Sequence, residues 1–157
     1  MGRARATRKA VSDLHSHVGF WLRFVSNHVS HAFARKLLAS RVTVAEWVVL
    51  REMYRRDDMS PSVLAGLTGI TRGAASKLID RLVAKKLVSR EGRTDDRRFQ
   101  DIALTAAGRR VVPVLAALAD QNDKEFFASL SAREREALVS TLKKLVRANG
   151  WHKMPIE

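Results

Sequence analysis

The residues best suited to contact another molecule lie at one helical spacing near the middle of the chain: Arg72, Gly73, Ser76 and Lys77. A helix enters the major groove of DNA only if its leading residues are short or donate hydrogen bonds to bases and phosphates. Arg72 could donate two hydrogen bonds to a guanine, and Gly73 would allow close approach. Arg81, Lys85 and Lys86 continue the basic face. A solvated face of an ordinary amphipathic helix fits equally well, so this segment alone favours neither interpretation.

A second basic cluster favours the nucleic-acid interpretation. It lies in the polar stretch 91–98, between two short strand-like segments, and contains Arg93, Arg97 and Arg98. A hairpin of this kind, projecting beside the helix, could place an arginine in a narrow minor groove, where the negative potential is concentrated. A carboxylate such as Asp96 could fix the orientation of a neighbouring guanidinium.

The elements that must position these clusters are signalled by capping residues and periodicity. Thr43 and Glu46 form a capping-box pattern at the start of a helix that extends to about Tyr54. Ser60 and Pro61 begin a short helix, and Thr71 can cap the basic helix, predicted from Arg72 to Lys86. Strands are predicted at 87–90 and 99–104. Two helices joined by a short turn and followed by a hairpin form a winged helix-turn-helix, here at 43–104.

Long amphipathic helices are predicted on both sides of this unit. From Val11 to Leu38, apolar residues recur at steps of three and four, and the apolar surface is too broad for one small domain to bury. Thr105 begins another helix, and Ser131 with Glu134 begins the last. We therefore predict a mainly α fold with a small β-hairpin wing, in the order α-α-α-α-β-β-α-α. It forms a single domain, 1–157, with dimerisation helices at 11–38 and 105–148.

Composition restricts the class of partner. The 157 residues include 29 Lys and Arg against 16 Asp and Glu, a net charge of +13 that attracts polyanions. The absence of cysteine excludes disulfides and thiol-based metal or redox sites. We expect no membrane-spanning segment, since no apolar run approaches the required length, and a cytoplasmic location, since no secretory signal is evident. No catalytic or phosphate-binding motif is recognisable, so we expect neither enzyme activity nor a cofactor.

From 11 to 146 the sequence resembles the MarR family of bacterial transcriptional regulators. The wing carries the most specific part, since 96–105 resembles the family's D-x-R, three residues, aliphatic, x, Leu-Thr signature and is followed by Gly108. Other matching segments, in order, are Val42-Thr43, Glu46-Trp47, Val49-Leu50, Leu64-Ala65, Gly69-Ile70, and Leu78 to Leu82 with Leu87-Val88.

The resemblance implies that Arg98 enters the minor groove, that Asp96 supports it, and that the first and last helices interlock two subunits. It also implies repression relieved by a small phenolic or aromatic acid. The two-fold symmetry of a dimer predicts a pseudo-palindromic operator. Two positions depart from the pattern. Lys86 replaces the glycine that usually ends the recognition helix, which would strain a left-handed residue by about 1 kcal/mol. Asp101 stands where a polar or basic residue is common.

The candidate effector pocket is aromatic, with Trp21, Phe24, His28 and Trp47 as its possible walls. The alternative is core packing, which we favour for Trp47, while Trp21 and His28 fit either role. His28 and His31 have a spacing that could share a metal, but two ligands do not make a site, so we predict no metal. The alternative function is a non-specific nucleoid-type or RNA-binding protein that uses its charge for phosphate contacts.

Overall fold

The computed structural model describes residues 11–56, 59–92 and 100–151. Two strands, β1 (Val88–Gly92) and β2 (Gln100–Leu104), pair antiparallel with Val88 opposite Leu104. The helices of these residues are α1 (Val18–Leu37), α2 (Val44–Tyr54), α3 (Pro61–Thr68), α4 (Arg72–Ala84), α5 (Ala106–Phe126) and α6 (Ala132–Ala148). This order confirms the predicted mainly helical fold with a hairpin wing.

The helix starts follow the capping residues. The Thr43 hydroxyl accepts from the Glu46 amide at 3.2 Å, and the Glu46 carboxylate accepts from the Thr43 amide at 2.8 Å. Ser131 and Glu134 form the same capping box at α6. Single hydroxyl caps begin three further helices, with Ser60 at α3, Thr71 at α4 and Thr105 at α5, whereas α1 begins without a side-chain cap. These local bonds satisfy amides that a helix start otherwise leaves without acceptors.

The first helix is shorter than predicted. It begins at Val18 rather than at Val11, because the Asp13 carboxylate accepts from the His15 amide and begins a separate 3₁₀ turn, Leu14–Ser16. His17 then has extended backbone angles. A short acidic side chain that bonds to its own backbone competes with helix formation, although the apolar periodicity continues through the segment.

The basic helix is also shorter than predicted and ends at Ala84 rather than at Lys86. Lys86 is left-handed, with φ of 58°, and the amide of Leu87 donates to the carbonyl of Leu82 at 3.0 Å. These features form a Schellman motif, which satisfies the last carbonyls of a helix and usually has glycine at the left-handed position. The chain then turns directly into β1.

The buried core joins α2, α3 and α4 to the hairpin and to α5. Its fully buried members include Leu37, Leu50, Leu64, Ile79, Leu82, Ile102 and Leu115. Met59 extends the wing sheet by one residue, because its carbonyl accepts from the amide of Ile102 at 2.8 Å. The helix-turn-helix and the wing are therefore held to one body by apolar burial and by main-chain bonds.

The outer helices leave apolar surface exposed. No residue of α6 is buried, and α1 buries only Phe33 and Leu37. The exposed apolar side chains of these two helices include Val18, Trp21, Leu22, Phe24, Val25, Val139, Leu145 and Val146. Within the residues the structure describes, no helix is both long enough and apolar enough to cross a membrane.

Candidate nucleic-acid interface

The predicted contact residues share the outer face of α4. Arg72, Gly73 and Lys77 are exposed and Ser76 is half-buried, whereas Ala75, Leu78, Ile79 and Leu82 are buried on the opposite face. A Cβ added at Gly73 would have nothing within 4 Å, so this part of the helix surface is open to an approaching molecule. The structure thus places these four predicted contact residues of α4 on one accessible surface.

The C-terminal half of the same basic face has a different arrangement. Lys85 does not extend freely into solvent: its ammonium donates to both carboxylate oxygens of Glu46, at 2.7 and 2.8 Å. Nε of Arg81 lies 3.9 Å from the same carboxylate, although the Arg81 side chain remains 58% exposed. Of the three cations that continue the face, Lys85 is therefore engaged within the protein.

The Glu46 carboxylate is ionised in this setting. Burial raises its pKa, but the hydrogen bonds donated by Lys85 and by the Thr43 amide, together with the charge of Lys85, outweigh burial. The net result holds the pKa of Glu46 below its ordinary value of 4.5. The sequence predicted Glu46 as a capping residue only, and its pairing with Lys85, 39 positions away, has no local signal.

An ion pair also joins α4 to the wing. The guanidinium of Arg90 on β1 donates to the carboxylate of Asp80 on the outer face of α4. The pair reduces the negative charge that Asp80 would otherwise present beside the basic residues. Sequence reasoning missed this contact, because an acid followed ten residues later by a base across a turn has no characteristic spacing.

The wing residues predicted to enter the minor groove, Arg93, Arg97 and Arg98, lie outside the described residues, as does their predicted support Asp96. The base of the wing is described. There Asp101, one of the two departures from the family pattern, is half-buried on β2 and pairs in register with Glu91. The hairpin begins directly after α4, and its first strand contacts that helix.

The aromatic residues proposed for an effector pocket separate into two groups. Trp47 is partly buried against the core and contacts Phe33 edge to face at 6.3 Å, as favoured for a core residue. Trp21 and Phe24 are each about half exposed on α1, and the Phe24 ring lies 4.6 Å from that of His28. The four residues therefore do not share one cavity wall within a single subunit.

His28 and His31 line a shallow groove on α1 together with Asn27 and Arg35. In the part of the chain that the structure describes, no group of three or more histidine, cysteine or acidic side chains could hold a metal ion. The groove also contains a guanidinium, which would repel a cation.

Comparison with known proteins gives consistent matches. Residues 42–98 match the model of the MarR family. The fold is similar to a probable transcriptional regulator from Pseudomonas aeruginosa, with 26% identity, a TM-score of 0.76, and coverage of 85% of this chain and 99% of that one. It is also similar to Bordetella bronchiseptica BpsR, whose DNA binding is regulated by 6-hydroxynicotinic acid. That match has 28% identity, a TM-score of 0.76, and coverage of 87% of this chain and 97% of that one.

A third similar structure contains nucleic acid. It is a mutant of E. coli MarR complexed with operator DNA, with 25% identity, a TM-score of 0.76, and coverage of 86% of this chain and 99% of that one. All three matches cover a larger share of the chain than the winged segment alone.

Proposed function

Because the chain belongs to the MarR family of transcriptional regulators, we propose that it is a repressor that binds operator DNA as a homodimer and is released by a small aromatic ligand. The observation that carries the DNA part is the outer face of α4, where Arg72, Gly73 and Lys77 are exposed together. We assign no catalytic step and no cofactor to the protein. Since its target is chromosomal DNA, we place it in the cytoplasm.

In the proposed complex, the first turns of α4 lie in the major groove. Arg72 and Lys77 donate to base edges or phosphates, and the short Ser76 and Gly73 let the helix approach the bases. Arg81 contacts the phosphate backbone farther along the helix. Arg98, with Arg93 and Arg97 on the same loop, enters the adjacent minor groove, oriented by Asp96.

The partner subunit is a second copy of the chain. The exposed apolar faces of α1 and α6 support this, because a soluble monomer seldom leaves such a continuous apolar surface in water. Two-fold symmetry then repeats α4 on the same side of the duplex. We therefore expect a pseudo-palindromic operator whose half-sites are about 10 bp apart.

The ligand proposed to release the protein from DNA is a small phenolic or aromatic acid. The DNA binding of BpsR is regulated by a compound of this class, 6-hydroxynicotinic acid. Trp21, Phe24 and His28 lie on the α1 face that a second subunit would cover, so the proposed site forms between subunits. Aromatic rings with a nearby imidazole suit a planar acid. Trp47 belongs to the core and is left out of the proposed site.

The experiment is selection from a random duplex library with the purified full-length protein, followed by sequencing of the retained DNA. We expect one enriched motif with two inverted half-sites. Recovery of unrelated sequences, or equal retention of RNA, would instead support the nucleoid-type or RNA-binding alternative, for which the net charge of +13 is sufficient. Release is tested by titrating 6-hydroxynicotinic acid and a panel of phenolic acids against the operator complex, with cyclohexanecarboxylate as the non-aromatic control.

Repression is tested separately from binding. A reporter placed behind the selected operator should be silenced when the protein is expressed and should recover when the releasing acid is added. A reporter whose expression rises with the protein would identify an activator and overturn the repressor assignment.

A further inference from the structure

We propose that Glu46 and Lys85 form an ionic tether that fixes α4 in the position needed to contact bases, so that Lys85 is a positioning residue and not a DNA contact. The inference rests on the proposed function, since the placement of α4 matters in this way only if the helix meets DNA. It concerns the last turn of α4 and the first turn of α2, away from the residues assigned to the bases.

The ammonium group of Lys85 is engaged by acceptors within the protein. It lies 2.7 and 2.8 Å from the two oxygens of Glu46 and 2.7 Å from the carbonyl oxygen of Arg41. The carboxylate of Glu46 and the carbonyl of Arg41 therefore hold the ammonium from two directions, with charge-assisted hydrogen bonds on the carboxylate side. Moving the ammonium out to a phosphate would break these bonds and leave a buried carboxylate without its partner.

The acceptor side of the tether is held even more firmly. The Glu46 side chain is only 1% exposed, and its carboxylate also accepts from the amide of Thr43 at 2.8 Å. The capping bond therefore fixes the carboxylate to the start of α2 before Lys85 reaches it. Removing one partner of a buried pair leaves the other charge uncompensated, so the two residues hold each other in place.

The apolar contacts of α4 do not supply the same restraint. Its buried face consists of Ala75, Leu78, Ile79 and Leu82, and apolar burial is non-directional, so it opposes separation more than sliding or rotation. A charge-assisted hydrogen bond has a defined length and direction. The tether therefore adds an orientational restraint at the C-terminal end of the helix.

A small movement at this end has a large effect at the other. Lys85 and Arg72 are separated by about 20 Å along the helix axis, so a tilt of about 5° displaces the leading turn by about 2 Å. Base contacts need placement within about 0.5 Å, whereas long side chains follow a phosphate through a wider range of positions. Loss of the tether should therefore weaken binding to the operator more than binding to unrelated DNA.

The test measures dissociation constants for the selected operator and for a scrambled duplex of equal length, using the dimeric full-length protein. Glu46→Gln retains an oxygen that can cap Thr43 but removes the charge that holds Lys85. We expect operator affinity to fall by about tenfold, and scrambled-duplex affinity to stay constant or rise, because a negative charge has been removed. Electrostatics alone predicts tighter binding to both duplexes.

Glu52→Gln is the matched control. It makes the same charge change on the same helix, but Glu52 pairs with Arg56 within one segment and does not reach α4. The ratio of the two dissociation constants should remain that of the wild type. An equal fall in operator affinity in this control would overturn the tether, because the loss would then not depend on the contact with Lys85.

Lys85→Met and the Glu46→Gln, Lys85→Met double variant complete a double-mutant cycle with Glu46→Gln. If the two residues act as one tether, the double variant should lose no more discrimination than either single variant. Lys85→Met should also keep the wild-type dependence of affinity on salt, whereas a phosphate contact would reduce that slope by about one. Additive losses, or a reduced slope, would overturn the positioning role.

Hydrogen exchange measured without DNA tests the tether independently of the proposed DNA-binding function. We expect faster exchange of the amides at 81–87 in Glu46→Gln than in Glu52→Gln, with global stability monitored in parallel. A wild-type protein that prefers no duplex refutes the proposed function and, with it, the role of the tether in DNA recognition. If the wild type and Glu46→Gln both prefer the operator over the scrambled duplex to the same degree, the tether is refuted and the proposed function is not.

Discussion

The hydroxyl of Thr105 donates a 2.8 Å hydrogen bond to the main-chain carbonyl of Lys86 while accepting from the amide of Gly108 at 3.0 Å. One side chain thus caps α5 and holds the turn that ends α4. The amide of Thr105 also donates to the carbonyl of Leu87 at 3.1 Å. The end of α4, the start of the wing and the start of α5 therefore form one joint, which connects α5 to the surface proposed to contact DNA.

Lys86→Gly should stabilise the protein. Lys86 has φ of 58°, a conformation that brings a Cβ close to the following carbonyl, and glycine removes this strain at the end of the Schellman motif. We expect the free energy of unfolding to rise by about 1 kcal/mol. The measurement is urea denaturation at fixed protein concentration. Lys86→Ala, which removes the charge but keeps the Cβ, should show no such gain; an equal gain in both variants would assign the effect to charge.

Gly108→Ala should destabilise the joint. A Cβ at this position would overlap the carbonyl oxygen of Leu87, which is main chain and cannot rotate away. We expect a loss of about 1–3 kcal/mol in the free energy of unfolding. The control is Gly66→Ala in α3, where a Cβ meets nothing within 4 Å and better helix propensity should add about 0.5–1 kcal/mol. Thermal and urea unfolding of the two variants should therefore move in opposite directions, and parallel shifts would contradict the close approach.

The features predicted correctly from the sequence are those determined over three or four residues. Thr43 with Glu46, and Ser131 with Glu134, mark their helix starts because a capping box is complete within a single turn. Lys86 was expected to be a strained left-handed residue, and it is. The outer face of α4 followed from helical periodicity, since a buried stripe determines the opposite surface.

The features that were missed depend on contacts between distant segments. Lys85 was assigned to the basic face because periodicity shows on which side of the helix it lies. Periodicity does not show that a carboxylate 39 residues earlier in the chain binds it. The start of α1 was placed at Val11 because the apolar period continues through residues that Asp13 turns into a separate 3₁₀ segment. The proposed dimer interface and effector site involve a second chain, so their residues stay predictions.

Leu142→Glu should weaken self-association. Leu142 lies partly exposed on α6, which has no buried residue in its own subunit, so a carboxylate there would be desolvated only when two chains meet. We expect the dimer dissociation constant to rise at least tenfold, roughly 1.4 kcal/mol or more, by analytical ultracentrifugation. Val63→Glu, an exposed apolar position on α3, is the control and should leave association unchanged. Equal effects of the two variants would remove α6 from the proposed interface.

Arg98→Ala should weaken operator binding by about tenfold without lowering the unfolding free energy appreciably, because a minor-groove arginine acts only in the complex. Fluorescence anisotropy with labelled operator measures the change. Arg133→Ala, in the first turn of α6 and outside the winged segment, is the charge-matched control and should have a smaller effect. Undiminished affinity in Arg98→Ala would remove this residue from the proposed contacts.

Stability should depend on the ionisation of Glu46 in acid. Its folded-state pKa lies below the ordinary value of 4.5, so its contribution is fully present above that pH. As the pH falls below 4.5, the unfolded chain takes up a proton that the folded chain does not, and the free energy of unfolding decreases until the folded-state pKa is reached. Urea titrations from about pH 6 to about pH 3 should therefore show a shallower acid loss in Glu46→Gln than in the wild type.

Lys85→Met gives the opposite change to the same titration. Without the ammonium, burial acts on Glu46 against the Thr43 bonds and the more distant Arg81 guanidinium, so the pKa of Glu46 should rise relative to the wild type. The contribution of Glu46 to the acid loss of stability is the difference in unfolding free energy between Lys85→Met and the Glu46→Gln, Lys85→Met double variant. This difference should change at higher pH than in the wild type, or reverse in sign. The same difference can be measured between the wild type and Glu46→Gln. If the two differences have the same pH dependence, Lys85 does not determine the ionisation of Glu46, and the capping box accounts for its low pKa.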